Sequence, residues 1–172
     1  MAPRDKPSTN NITIGFVPNS GHNSHLLFSR STPLLTNIMS WNNYIDRIIS
    51  SKCDKAAIIG IDGSLWTTNN HPNNWNITAS EASVIGKAVS DPNLTVFQQS
   101  GIIVDGVKYE CLRAELNSDN KMVLGKKKDD GFISIQITKT AVIIAHTKEG
   151  ESHGDTAVAV EQIASYLGQS GI

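Results

Sequence analysis

The side chains best suited to binding chemistry are a pair of aromatic rings near the start of a predicted helix and a group of basic residues further along the chain. Trp41 and Tyr44 lie three residues apart in a stretch with helical periodicity. On a helix this spacing brings both rings to one side, where flat rings can line a groove. The same rings would also suit a hydrophobic core, so the apolar stripe alone leaves binding and packing both open.

The basic residues accompany two neighbouring predicted strands. Lys108 and Arg113 flank one strand, and Lys126, Lys127 and Lys128 follow the next. In an adjacent antiparallel pair these cations can converge into a patch that attracts a carboxylate-rich protein surface or a phosphoinositide headgroup. The alternative is a solvated lysine turn that serves solubility alone.

Histidines and cysteines are the remaining candidates for chemistry. His71 lies in a predicted loop, His146 ends a predicted strand, and His153 precedes the last predicted helix. No nucleophile elbow or zinc-binding helix accompanies them. Cys53 and Cys111 lack metal-ligand spacing and indicate inert thiols in a reducing compartment. The sequence predicts a protein that is not an enzyme and needs no cofactor or metal, with a hydrolase built on His146 or His153 as the weaker alternative.

Composition indicates one ordinary domain without a global charge preference. The chain has 172 residues, of which 39% are hydrophobic and 18% charged, and its formal net charge is -1. A nearly neutral chain has no overall attraction to nucleic acid or membranes, so an anionic partner must meet a local patch. We find neither an apolar run of membrane-spanning length nor a signal segment, and a cytoplasmic location is the expectation.

Residues 1–38 differ in character from the rest of the chain. Pro, Ser, Thr and Asn are frequent there, and apolar residues lack a steady period. This pattern predicts a mostly disordered extension in front of a single domain over residues 39–172. Met39, directly before the first predicted helix, is a candidate internal start.

Three helices are predicted, over residues 40–49, 78–89 and 155–167. Ser40 is expected to cap the first. A capping box over residues 78–81 opens the second, and residues 91–93 stop it. Gly168 is the expected end of the third, and Tyr166 lies off its apolar stripe as a candidate surface aromatic.

Short apolar or alternating runs separated by tight turns predict strands. They cover residues 56–61, 64–68, 102–104, 107–112, 121–126, 132–138 and 141–145, while residues 69–76 are predicted to form a loop. Turn pairs such as Asp62-Gly63 and Asp105-Gly106 are typical of hairpins, and connections this short require antiparallel pairing. The predicted fold class is α+β, with a central antiparallel sheet that needs its apolar surface covered by the terminal helices.

The stretch Ser40 to Asp46 closely resembles the N-terminal signature of profilins. The likeness continues over residues 39–172, in order and at the same spacing, with further matches at residues 62–66, 76–78, 108–113, 137–140, 148–150, 153–154 and 164–167. It implies a sheet flanked by the N- and C-terminal helices on one face and by a small helix or helices on the other. The extension before residue 39 is foreign to the pattern.

The resemblance also implies two binding faces. An aromatic groove for proline-rich ligands would be formed by Trp41, Tyr44, Trp66 and Tyr166. Flat rings with N–H and O–H donors suit a polyproline II helix, which is preordered and lacks backbone donors. The residues that match or adjoin actin-facing positions are Lys108, Arg113, Lys126, Lys139, His153 and Glu161. A site for phosphatidylinositol 4,5-bisphosphate overlaps the actin face in this family, and here its residues would be Lys108, Arg113, Lys126, Lys127 and Lys128.

The implied function is binding of monomeric actin and of proline-rich assembly factors such as formins, which regulates actin polymerisation and nucleotide exchange in the cytoskeleton. Four residues depart from the family pattern. Ile172 replaces a frequent C-terminal aromatic, and Leu124 stands where many members carry an arginine. Gln99 and Cys111 take places that are often aliphatic in vertebrate members. These departures keep a second hypothesis open: an adaptor of the same fold that binds proline-rich peptides or phosphoinositides without useful actin affinity.

Overall fold

A computed structural model describes residues 40–92, 94–115 and 121–172. The predicted extension over residues 1–38 lies outside the described residues, as do Met39 and Asn93. The elements within the described ranges are α1 (Asn42–Ile48), β1 (Cys53–Gly60), α2 (Ala79–Ser90), α3 (Thr95–Ser100), β2 (Ile102–Val104), β3 (Val107–Glu115), β4 (Lys121–Lys127), β5 (Gly131–Ile137), β6 (Ala141–Lys148) and α4 (His153–Gln169).

The six strands form one antiparallel sheet in the order β1-β6-β5-β4-β3-β2. Neighbouring strands from β2 to β6 follow each other in sequence, as short hairpin connections require. Strand β1 instead pairs with the distant β6, with Ile58 opposite Ile143. This pairing joins the beginning of the described chain to its end and brings the two terminal helices close together.

Both faces of the sheet are covered, which explains why the central strands are apolar without alternation. On β1, Ile58 belongs to the core under α1 and α4, and its neighbour Ile59 belongs to the core under α2 and α3. On β6, Ile143 and Ile144 divide in the same way. The structure confirms the α+β class, with the terminal helices on one face and two small helices on the other.

The capping box of α2 is confirmed. Thr78 Oγ1 accepts the backbone N–H of Glu81 at 3.2 Å, and the Glu81 carboxylate accepts the N–H of Thr78 at 2.9 Å. Glu81 also accepts the N–H of Gly106 at 2.8 Å, which ties α2 to the turn between β2 and β3.

Several predicted boundaries are wrong for identifiable reasons. Helix α1 begins at Asn42, and Ser40 makes only a long bond of 3.4 Å to its N–H, so Ser40 is not the N-cap. Gly168 lies inside α4, and the left-handed glycine that follows the helix is Gly171, at φ +82°. The predicted strand over 64–68 is reduced to one bridge, between Leu65 and Ile59, on the edge of β1 opposite β6, and the Thr68 N–H donates to Asn42 of α1 instead.

Two features of the middle of the chain were not predicted. Helix α3 is capped by a side chain from the end of α2, since Asp91 Oδ2 accepts from Thr95 Oγ1 at 2.8 Å and from its backbone N–H at 3.2 Å. Trp75, in the predicted loop, is buried with its ring against Tyr109. Its segment runs beside β1 through a parallel bridge between Ala56 and Asn74, so the loop contributes to the core.

Candidate functional site

Four aromatic rings lie in a row across α1, α4 and the segment after β1. Ring centroids are 4.5 Å apart for Trp41 and Trp66, 5.6 Å for Trp41 and Tyr44, and 6.2 Å for Tyr44 and Tyr166. We call this set the aromatic row: Trp41, Tyr44, Trp66 and Tyr166. The structure therefore brings together the four residues that the resemblance assigned to a groove.

The rings of the aromatic row differ in exposure. Tyr166 is 47% exposed, Trp41 and Trp66 are half-buried, and Tyr44 is only 7% exposed. Burial and the neighbouring Tyr166 phenol raise the pKa of Tyr44. Tyr44 thus serves as the core-facing floor, while the other three rings present surface to a ligand. Of the two rings on the apolar stripe of α1, Tyr44 therefore packs in the core, and Trp41 is available for binding.

A short chain of hydrogen bonds orients Trp66. Its indole Nε1 donates to Ser64 Oγ at 2.9 Å, and that hydroxyl donates to Asp62 Oδ1 at 2.5 Å. Hydrogen bonds from the Ser64 hydroxyl and the Ser64 backbone N–H lower the pKa of Asp62. The Trp66 N–H is therefore already used, whereas the Trp41 indole N–H has no hydrogen-bond partner among the residues that the structure describes. Of the two indoles, only Trp41 has a donor available for a ligand carbonyl.

The segment that carries Trp66 is fastened to α1 by polar side chains. Asn42 Nδ2 donates to Thr68 Oγ1 at 3.0 Å, and the Thr68 N–H donates to Asn42 Oδ1 at 3.0 Å. One turn further on, Asp46 Oδ1 lies 2.8 Å from Nε2 of His71. The sequence signal was present, since Asn42 and Asp46 are four residues apart on the side of α1 away from its apolar stripe. Their role as anchors was not predicted.

Ile172 stands where the resemblance would lead us to expect an aromatic residue. Its backbone N–H donates to the carbonyl of Leu167 at 3.0 Å, which folds the C-terminus back against α4. The half-buried side chain packs against the core cluster that also supports Trp41 and Trp66. It adds apolar contact beneath the aromatic row but no ring.

The basic residues contribute to an open cavity of about 580 Å³ between the end of α3 and strands β3 and β4. Its cations are Lys108, Lys126, Lys127 and Lys128. Glu110 is the one carboxylate in its lining, and Gln99 and Cys111 are also present. We call this the lysine cavity. Four cations around one concave surface can hold a polyanion such as a phosphorylated headgroup.

One lysine of the cavity also belongs to a stack on the α4 side of the sheet. Lys126 Nζ lies 5.0 Å from the centroid of the Phe132 ring, and the Phe132 and His153 rings are 5.0 Å apart. A cation over an aromatic face is attracted by the ring quadrupole. Phe132 was not among the predicted site residues, although its position beside Lys126 on adjacent strands follows from the register.

The other predicted basic and acidic site residues lie apart from this stack. Arg113 Nε donates to Glu115 at 2.8 Å and does not line the lysine cavity. Lys139 lies in the turn after β5, at the opposite end of that strand from Lys128, a separation of roughly 20 Å. Glu161 is exposed on α4. Leu124, which the resemblance places at a position that is often arginine, is 7% exposed and pairs with Arg113.

Catalytic and metal chemistry find little support in the described residues. No serine or cysteine side chain there bonds to the imidazole ring of His146 or His153, and burial raises the pKa of Cys53 to about 11. No group of three or more His, Cys, Asp or Glu in these ranges could hold a metal ion. Nor does any described helix combine the length and apolarity needed to span a membrane.

The sequence of this chain is similar to those of known proteins. The sequence model of the Profilin family matches residues 39–172. A profilin of Strongylocentrotus purpuratus is 43% identical over 140 residues, which cover 75% of this chain and 96% of that protein.

Solved structures give the same result at the level of fold. Profilin II of Acanthamoeba castellanii superimposes with a TM-score of 0.65 at 27% identity, covering 77% of this chain and 100% of that one. Mouse profilin IIa, solved in complex with a double repeat from the FH1 domain of mDia1, superimposes with a TM-score of 0.57 at 20% identity, covering 77% and 99%.

Proposed function

Because the chain belongs to the profilin family, we propose that it binds monomeric actin and proline-rich ligands and thereby regulates actin polymerisation and nucleotide exchange. The protein acts in the cytoplasm and cytoskeleton, and it performs no covalent chemistry. The aromatic row is the observation that carries the proposal, because three of its rings, those of Trp41, Trp66 and Tyr166, keep exposed surface around the buried Tyr44.

The row suits a proline-rich peptide in both shape and polarity. A polyproline II helix presents flat pyrrolidine rings and carbonyl acceptors but no backbone donors. Trp41 offers a half-buried ring whose indole N–H has no partner among the described residues, and Tyr166 offers a ring that is 47% exposed. The FH1 repeat bound to mouse profilin IIa supports assigning formin-type segments as ligands.

The actin face is proposed for the surface around the stack of Lys126, Phe132 and His153, with Lys108, Arg113, Lys139 and Glu161 as further members. An aromatic ring flanked by a cation and an imidazole can combine apolar burial with charge complementarity, which is typical of interface hot spots. The stack meets α4 at its first residue, His153, whereas the aromatic row meets α4 at Tyr166, roughly 20 Å further along the helix. Actin and a proline-rich peptide are therefore expected to bind at the same time.

Phosphatidylinositol 4,5-bisphosphate is the third proposed ligand, and the lysine cavity supports it. Lys108 and Lys126 belong both to this cavity and to the proposed actin face. Lipid and actin are therefore expected to exclude each other. Arg113, which is paired with Glu115 outside the cavity, is the weakest member of the lipid set.

Calorimetric titration with decaproline tests the groove. Trp41→Ala should weaken binding at least tenfold, since buried aromatic anchors dominate such interfaces. Val158→Ala is the matched control, because Val158 is 52% exposed on α4 and outside the aromatic row. Equal affinities of the two variants would refute the assignment.

Titration with monomeric actin tests the second face. Lys126→Glu should weaken actin binding and leave decaproline binding unchanged, while Lys87→Glu, an exposed charge reversal on α2, should affect neither. The buried Leu124 favours one rival, the adaptor without actin affinity, because it removes a charge from this face. Absence of wild-type actin binding at concentrations on the order of tens of micromolar would establish that rival.

A further inference from the structure

A buried polar cluster ties together segments that neither proposed protein-binding surface uses. The Tyr109 hydroxyl donates to the Asp130 carboxylate. His146 Nδ1 lies 2.6 Å from Asp54 Oδ1, and its Nε2 lies 3.3 Å from Asp130 Oδ2 but outside hydrogen-bond geometry. We call these four residues the clasp. The Trp75 ring packs edge-on against both Tyr109 and His146.

The clasp residues differ in burial, and that difference orients the cluster. Tyr109 is 1% and His146 5% exposed, whereas the Asp130 and Asp54 side chains are 34% and 32% exposed. Burial and the Asp130 carboxylate raise the pKa of Tyr109, so its hydroxyl remains a donor at neutral pH. On its interior side, Asp130 therefore contacts two buried side chains, those of Tyr109 and His146.

Each end of the Tyr109–Asp130 bond adjoins a lysine-bearing segment. Tyr109 directly follows Lys108 on β3, and Asp130 comes two residues after Lys128. The ladder between β3 and β4 ends at the pair of Glu110 with Lys126, so the turn over 128–130 extends beyond it. Within the described residues, the Tyr109–Asp130 bond is the side-chain link that holds this turn against β3.

Asp130 also bears on the charge of the cavity. A free carboxylate two residues from Lys128 would pair with the lysines and reduce their attraction for phosphate. Binding of Asp130 by Tyr109, with the His146 ring beside it, directs that carboxylate into the interior. The clasp should therefore raise affinity for phosphate in two ways. It fixes the position of the turn that carries Lys128, and it keeps the Asp130 carboxylate from pairing with the lysines.

We propose that Tyr109 and Asp130 are positioning residues that orient Lys127 and Lys128 toward the phosphate groups of a phosphoinositide in the lysine cavity. The inference rests on the proposed lipid binding and extends it to residues that never touch the lipid. It assigns the buried polar cluster a role in ligand affinity, beyond fold stability.

Sedimentation with phosphatidylcholine vesicles that contain phosphatidylinositol 4,5-bisphosphate tests this role. Tyr109→Phe removes one hydroxyl without changing charge or packing volume, and we expect vesicle affinity to fall about threefold to tenfold. Decaproline affinity should stay unchanged, which shows that the variant is folded. Asp129→Asn is the matched control: it removes a charge from the same turn without touching Tyr109 and should hold or raise vesicle affinity, since Asn tolerates the φ of +62° there.

A double-mutant cycle separates positioning from a general structural effect. In a chain that carries Lys127→Gln and Lys128→Gln, Tyr109→Phe should have little further effect on vesicle binding, because the side chains it positions are already neutral. An equal fold-loss in both backgrounds would overturn the positioning role. Unchanged vesicle affinity of Tyr109→Phe beside a binding wild type would overturn this inference alone.

Two further measurements separate failure of the proposed lipid binding from failure of the positioning role. If the wild-type chain does not bind these vesicles, the proposed lipid binding is refuted and the inference with it. Soluble inositol 1,4,5-trisphosphate should displace the vesicles and should bind Tyr109→Phe more weakly by a similar factor. Direct titration that gives equal affinities of inositol 1,4,5-trisphosphate for wild type and Tyr109→Phe would contradict the assignment of phosphate groups to the positioned lysines.

Discussion

Replacing Asn42 with alanine tests whether the aromatic row depends on the anchor between α1 and the Trp66 segment. The two bonds between Asn42 and Thr68, each 3.0 Å long, are the direct side-chain contacts of Asn42 with that segment. Each such bond contributes about 0.5–1.5 kcal/mol, and exposure places these toward the lower end. Their loss should therefore release roughly 1–2 kcal/mol of local constraint between Trp41 and Trp66.

That constraint sets the population of the binding-competent groove. If the Trp66 segment leaves α1 in part of the molecules, apparent affinity falls by the competent fraction. We expect decaproline affinity of Asn42→Ala to fall about threefold to tenfold by calorimetry. Urea unfolding of the same variant should show a smaller loss of global stability, because the exposed anchor contributes little to either core.

Asn43→Ala is the matched control for this measurement. Asn43 is the next residue of α1, is exposed, and its backbone N–H rather than its side chain makes the bond to Ser40. Both substitutions raise helix propensity by the same amount, so that contribution cancels. Equal decaproline affinities of the two variants would refute the idea that the anchor organises the groove.

Three further predictions concern stability and reactivity. Thr147 is fully buried, and its hydroxyl has no hydrogen-bond partner among the described residues. Thr147→Val should therefore raise the free energy of unfolding, measured by urea titration, by about 1 kcal/mol. A loss of stability would mean that the hydroxyl does form a hydrogen bond. Burial raises the pKa of Glu81, but hydrogen bonds from Gly106 and Thr78 outweigh it and leave the pKa lowered from 4.5. The charged form of Glu81 therefore stabilises the fold above that value, and this stabilisation is lost as pH falls through the lowered pKa. In Glu81→Gln, the free energy of unfolding should therefore fall less steeply as pH is lowered. An equally steep fall in both proteins would contradict this. Finally, a thiol reagent should modify the half-buried Cys111 in the native protein and reach Cys53 only on unfolding, and rapid native labelling of both thiols would show that the β1 core is more open than described.

The sequence was most informative where local pattern and tertiary role coincide. The alternation of strands with turns such as Asp105-Gly106 predicted the hairpins from β2 to β6, and the capping box at Thr78 marked the start of α2. It failed where a distant partner decides the outcome. The segment after Asp62-Gly63 has hairpin chemistry and returns along the edge of β1 opposite β6, but it leaves β1 after one bridge and the Thr68 N–H donates to Asn42 of α1.

The candidate site shows the same division. Spacing within α1 placed Trp41 and Tyr44 together, and the family resemblance added Trp66 and Tyr166. Neither could show that the Trp66 indole N–H donates to Ser64 Oγ. That detail depends on side-chain directions in an irregular segment, as does the burial of Trp75, and no local periodicity encodes them.

The measurement that most directly tests the account is sedimentation velocity of fluorescent decaproline with this protein and excess monomeric actin. Two separate surfaces on one profilin domain predict that the label moves with a complex heavier than the protein alone, while Lys126→Glu leaves the label on free protein. A label that is released as actin binds, or that never leaves the free-peptide boundary, would contradict the two-surface account.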